Sequence, residues 1–192
     1  MTPPRGAVGA REVTPSSAMY DASSTFRLQT VLDGVTAAEA DEVRRLWLDA
    51  SVVPPAEAER RIAELLFLIR DAATGELVGV STAYPAALPP GDTRYWFLRM
   101  FVRESHHGEV GLPPLVLTSA VTELAGRRPR GPVPDCRGVA VVPQNPKLRT
   151  PHMLVRWFRH LPGWRVAGHD PAGLPIICFD FPVGESAGAE SR

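Results

Sequence analysis

From Phe26 to Phe181 the apolar residues of this sequence switch repeatedly between a period of two and a period of three to four, and glycine, proline or aspartate marks most of the switches. The first period belongs to strands and the second to helices. In FRLQTVL, Phe26, Leu28 and Thr30 alternate with polar neighbours and predict a half-buried strand over residues 26–32, ended by Asp33-Gly34. Thr36 followed by Glu39 is a capping-box pair, and behind it Val43, Leu46, Trp47 and Ala50 share one helical face. Pro55 suits the first turn of a second helix, residues 56–63, with Ile62 facing inward. Residues 65–70 and 77–84 form a predicted β-hairpin across DAATGE, where Gly75 takes positive φ. Residues 85–91, PAALPPG, read as a loop because proline cannot donate to a ladder.

The stretch from Tyr95 to Gly126 organises the rest. Residues 95–102 place Tyr95, Phe97, Arg99 and Phe101 on one face and Trp96, Leu98, Met100 and Val102 on the other, as expected of a central strand buried on both sides. A polar turn, residues 103–111, with glycines at 108 and 111, then opens into a helix carrying Leu117, Val121 and Leu124 and ending at Gly126. Strand, glycine turn and helix in that order can make a phosphate site, since the free N–H groups and the dipole of a helix start favour an anion. The same arrangement is also ordinary loop chemistry. Downstream, a basic proline-rich loop leads to a strand over residues 137–142, broken at Gln144-Asn145-Pro146. Thr150-Pro151 starts a helix with Leu154, Phe158 and Leu161 inward, and Pro162-Gly163 ends it. Residues 164–168 and 174–181 close the chain as a hairpin across HDPAG. The expected organisation is a disordered tail over residues 1–25, one domain over 26–182 and a polar tail over 183–192.

Composition narrows the function. In 192 residues, 44% of them hydrophobic, one core can form without metals or disulfides. The 21 basic and 21 acidic residues cancel, so no nucleic-acid footprint or polybasic membrane surface is indicated, and a small or neutral partner is expected. The two cysteines, Cys136 and Cys178, lack zinc spacing and fit reduced thiols in a cytoplasmic protein without a metal. No apolar run reaches the ~20 residues of a membrane helix. Arg99 inside an apolar strand is costly to bury alone and predicts a carboxylate partner from the protein or from a ligand.

The full pattern resembles the acyl-CoA N-acyltransferase (GNAT) superfamily over residues 26–181. LLFLIRDAATGELVGVSTAY looks like the family's second and third strands, LRMFVRE like its fourth, VVPQNPKL like its fifth with the Asn that follows, and FRHLPGWRVAG like the helix end and sixth strand. The resemblance implies an α/β (α+β) fold, a mixed, mostly antiparallel sheet of about seven strands flanked by about four helices. It also implies transfer of an acyl group, most simply acetyl, from coenzyme A to a small-molecule amine. By the same resemblance the pantetheine arm lies along Met100, Phe101 and Val102, and the pyrophosphate on His107, Gly108, Val110, Gly111 and Leu112, with Asn145 nearby. Gly111 is expected to matter most, because a Cβ there would crowd both turn and ligand. Two departures stand out. The family's loop begins with Arg or Gln and ends on Gly or Ala, whereas Gly108, Gly111 and Pro113 fall here, and Pro113 and Pro114 remove two donors. The family's catalytic tyrosine is matched only by Phe158, which leaves Tyr95 and Arg99 as the candidate catalytic residues. The alternative is a diverged member serving as a ligand-binding or dimerising scaffold, or catalysing another reaction.

Overall fold

The computed structural model describes residues 19–21, 25–109, 111–127, 135–144, 150, 152 and 161–182. The strands are β1 (Met19–Asp21), β2 (Phe26–Thr30), β3 (Leu65–Asp71), β4 (Leu77–Ala87), β5 (Arg94–Val102), β6 (Gly138–Val141), β7 (Arg165–His169) and β8 (Pro175–Asp180). The helices among the described residues are α1 (Ala37–Asp49), α2 (Pro55–Ile62) and α3 (Leu112–Leu124). The helix expected around Leu154 and Phe158 lies outside the described residues. None of the described helices is long and apolar enough to cross a membrane.

The eight strands form one sheet in the order β1-β2-β3-β4-β5-β6-β8-β7, antiparallel at every junction except β5·β6. The extra strand is β1, which pairs Met19–Asp21 with Gln29–Arg27 of β2 inside the stretch read as tail. Three residues, Met19, Tyr20 and Asp21, are too few to show an apolar period, so the pairing was invisible in the sequence. α1 begins as its capping box predicts: the Glu39 N–H donates to Thr36 Oγ1 at 3.3 Å and the Thr36 N–H to Glu39 Oε2 at 2.9 Å. Such a cap is worth about 1 kcal/mol. The helix buries Val43, Leu46 and Trp47 against Leu65, Leu68, Leu77 and Val80 on one face of the sheet. On the opposite face α3 lays Leu112, Val116, Leu117, Ala120 and Leu124 over Trp96, Leu98 and Val102.

Pro85 corrects the loop expected over residues 85–91, since β4 runs through it to Ala87. The Arg103 N–H bonds to the Val78 carbonyl, which sets the parity of the β4·β5 ladder: odd residues of β5 bond to even residues of β4. Pro85, opposite Trp96, therefore turns its missing N–H away from β5. On its other side β3 has already ended, its last rung being Leu65↔Thr82. A proline costs the sheet nothing at such a position.

Candidate functional site

The same parity decides what β5 can offer a ligand. β6 pairs with β5 at Trp96↔Val139, Phe97↔Ala140 and Leu98↔Val141, and beyond Leu98 no strand pairs with the β6 side of β5 among the described residues. Even residues point their backbone groups that way, so Met100 and Val102 face the opening while Phe101 is paired with Val80 on β4. Phe101 is thus no source of free backbone groups, and its ring packs with the α1–α2 side. Met100, in the fifth of eight strands, is 41% exposed, although it shares its face of β5 with the buried Trp96, Leu98 and Val102. The Val102 carbonyl accepts from His107 Nε2 at 2.8 Å, leaving the Val102 N–H and both backbone groups of Met100 without a ladder partner among the described residues.

The turn after β5 is less well furnished. A single 3₁₀ turn, Glu104–His106, is followed by Gly108 at φ +97°, a conformation that favours glycine. Gly111 is the N-cap of α3 at φ −78°, and a Cβ on it would meet nothing within 4 Å. The expectation that Gly111 is needed by the turn is therefore wrong, and Gly108 is the glycine the backbone requires. The Leu112 N–H is taken by the Glu109 carbonyl at 3.2 Å, and Pro113 and Pro114 have no N–H. The N–H groups of Gly108, Glu109 and Gly111 remain without partners among the described residues. Charge is against a phosphate too: Arg103 is paired with Glu76, and Glu104 and Glu109 are exposed carboxylates. His106 turns to Ser105 Oγ, 2.9 Å away, and lies edge-on to Phe26. Val110 and Asn145 lie outside the described residues.

The two candidate catalytic residues are not brought together. They share a face of β5 but stand four residues apart, roughly 13 Å along the strand. Tyr95 is 2% exposed, and its hydroxyl donates to Asp180 Oδ1 at 2.7 Å. Burial, with the bond to Asp180, pushes its pKa up to about 12. Asp180 also faces Arg165 and Arg137, both at 3.2 Å, and its carboxyl stays below the usual range because Tyr95 and these arginines outweigh its partial burial. Tyr95 is a core residue with its proton committed. Arg99 has the carboxylate partner predicted for it: Nη1 donates to Glu64 Oε2 at 3.0 Å, and the guanidinium lies 3.9 Å over the Tyr84 ring. Glu64 and Tyr84 were not legible as partners, because nothing local in the sequence ties residue 64 to residue 99. Both thiols are poor nucleophiles, with burial pushing Cys136 up to about 11 and raising Cys178 as well. No cluster of three or more potential metal ligands occurs among the described residues.

Compared by sequence, the chain matches no family model and no curated protein. Compared by structure, it resembles the ribosomal-protein-S5-alanine acetyltransferase of Vibrio fischeri, with TM-score 0.55 at 8% identity over 86% of this chain and 98% of that one. It also resembles an acetyltransferase of Agrobacterium tumefaciens, with TM-score 0.52 at 14% identity over 89% and 99% of the two chains. An acetyltransferase of the GNAT family from Streptococcus pneumoniae aligns at TM-score 0.50 and 11% identity over 81% and 99%. Likeness at these identities is one of fold, and the fold is that of the GNAT acyltransferases.

Proposed function

We propose that this chain, carrying the GNAT fold, is an acyltransferase that moves an acyl group from acyl-CoA, acetyl-CoA in the simplest case, to an amine of a small molecule. The observation that carries the reading is the gap beside β5: Met100 is exposed in mid-sheet, and unpaired backbone groups of Met100 and Val102 stand where an amide-bearing chain can add to the sheet. The pantetheine arm of coenzyme A is such a chain. A neutral amine attacks the thioester carbonyl carbon; the carbon–nitrogen bond forms, the carbon–sulfur bond breaks, and the proton given up by nitrogen passes to sulfur directly or through water. With Tyr95 bound to Asp180 and both thiols held protonated, this chemistry rests on positioning and backbone donors rather than on a side-chain acid. Thermal melting with acetyl-CoA tests the reading, because a ligand that binds only the folded state raises Tm with the logarithm of its excess. Thiol release on adding amines then reports transfer.

A second reading draws on the turn. Two prolines, two exposed carboxylates and no unpaired arginine among the described residues of 103–115 make a poor pyrophosphate cradle. That chemistry suits a diverged member in which the gap holds another extended ligand. An unchanged melting curve at acetyl-CoA on the order of millimolar favours it over the transferase.

A further inference from the structure

An alternating chain of charges runs from α2 to the open end of β5. Arg61 and Arg60 both reach Glu57 Oε1 at 2.9 Å, Arg60 Nη1 reaches Glu64 Oε1 at 2.5 Å, and Glu64 Oε2 holds Arg99 Nη1 at 3.0 Å. On the same pair of helices Arg44 is shared by Asp41 and Glu59, so across the whole cluster four guanidinium groups meet four carboxylates. Both Glu64 oxygens are engaged, and Arg99 Nε and Nη2 have no hydrogen-bond partner among the described residues. Both ends of the chain are partly buried, Arg61 at 24% and Arg99 at 32% side-chain exposure, and Arg99 lies beside Tyr84, which packs against Phe97.

A second feature lies beside it. Thr82 is registered directly across from Arg99 on β4, hence on the same face of the sheet, with Cβ atoms about 5 Å apart. It is 3% exposed, and its Oγ1 has no hydrogen-bond partner among the described residues. A buried hydroxyl left unpaired is costly, and here it stands across the ladder from a guanidinium with one unpaired edge. Arg99 directly follows Leu98, the last rung shared with β6, on the face opposite α3. That is the place from which an acceptor would approach a thioester lying in the gap.

We infer that Arg99, with Thr82 beside it, forms a subsite for one carboxylate, and that the acceptor is an amine which also carries a carboxylate. The inference rests on the transferase reading above and names its substrate class. The free Nε–Nη2 edge matches the two oxygens of a carboxylate in a bidentate pair. A carboxylate brings one negative charge to that edge, whereas a phosphate dianion brings two and is opposed more strongly by Glu64, already 3.0 Å from the same guanidinium. Glu64 and the Tyr84 ring hold the guanidinium in position, so Arg99 is a specificity determinant and takes no proton from the reaction.

The test requires no turnover. The full chain is titrated by calorimetry with N-acetyl amino acids, which mimic the acetylated product, and with the matching carboxamides. At least one acid should bind saturably, about tenfold or more tighter than its amide. Arg99→Gln should erase that preference and Arg99→Lys should keep part of it, while Thr82→Val should weaken acid binding and leave the fold intact by circular dichroism. Acids and amides that bind alike, acids that do not bind at all, or a preference that survives Arg99→Gln would overturn the assignment. A parallel titration with acetyl-CoA separates the two claims. Acetyl-CoA binding without an acid preference removes the Arg99 subsite alone, and an acid preference without acetyl-CoA binding removes the transferase and leaves the subsite standing.

Discussion

At its start β5 is held on both sides, by β4 through Tyr95↔Ala86 and by β6 through Trp96↔Val139, and the Tyr95 hydroxyl is tied to Asp180 across the sheet. At its end, among the described residues, β4 alone pairs with it, Met100 is exposed, and one edge of the Arg99 guanidinium has no partner. The residue that looks most catalytic in the sequence, a tyrosine, is at the closed end with every group satisfied. The open end carries an arginine, a methionine and unpaired backbone. What a ligand can use is set by which groups the fold leaves without partners, and side-chain chemistry alone does not reveal that.

The contrast can be broken hardest at Gly79, which stands across from Val102. A Cβ there would lie 2.5 Å from the Phe101 carbonyl oxygen, so the strands must part. Gly79→Val should lower stability by about 3 kcal/mol or more, read from the denaturant midpoint, and should take ligand binding with it. At the closed end, Tyr95→Phe should cost about 2 kcal/mol, the scale of a hydrogen bond to a charged group, while leaving acetyl-CoA binding as it was. Its pH signature has a definite sign. Tyr95 keeps its proton to about 12 in the folded state against 10.0 ordinarily, so its contribution is complete below pH 10 and is lost as pH rises from there through about 12. Alkaline melting curves of Tyr95→Phe should lack that loss. The depressed Asp180 acts in the opposite direction: its contribution is present above the ordinary carboxylate range and fades as pH falls through its folded value.

Smaller effects sharpen the open end. Pro113→Gly restores a donor at the start of α3 and should tighten acetyl-CoA binding by about 1 kcal/mol, less up to about 1 kcal/mol for the flexibility glycine adds to the free protein. The change should be seen in calorimetry and should shrink as salt is raised. The smallest contrast is between two glycines of one turn. Gly108→Ala, at φ +97°, should cost about 1 kcal/mol of stability. Gly111→Ala, at an ordinary helical φ with open space around it, should cost nothing measurable. A loss of acetyl-CoA binding in Gly111→Ala would then report the ligand's approach and not the turn.

Much of this fold was legible because its elements are amphipathic. The capping box at Thr36, the hairpin at Gly75 and the two-faced run from Tyr95 to Val102 were each visible as a period with punctuation. β1 was not, since three residues that pair through their backbone need no apolar pattern. Nor was the passage of β4 through Pro85, because a proline's cost depends on ladder parity and on where the neighbouring strand stops. The site was half legible. That Arg99 needs a carboxylate follows from burial physics, but Glu64 as that carboxylate, Thr82 across the ladder and the unpaired edge of the guanidinium emerge only from register and ion pairing.

The central claim is that the slot beside β5 holds a pantetheine arm while the turn at 103–111 adds little grip on phosphate. Calorimetric titration with acetyl-CoA and with acetyl-pantetheine, which lacks the phosphates and the nucleotide, tests it most directly. The account predicts saturable binding of both, with affinities within about tenfold of each other, that is within about 1.4 kcal/mol. Binding of neither would remove the slot. Tight binding of acetyl-CoA with about a thousandfold loss for acetyl-pantetheine would show that the phosphates are gripped after all, and would contradict the reading of the turn.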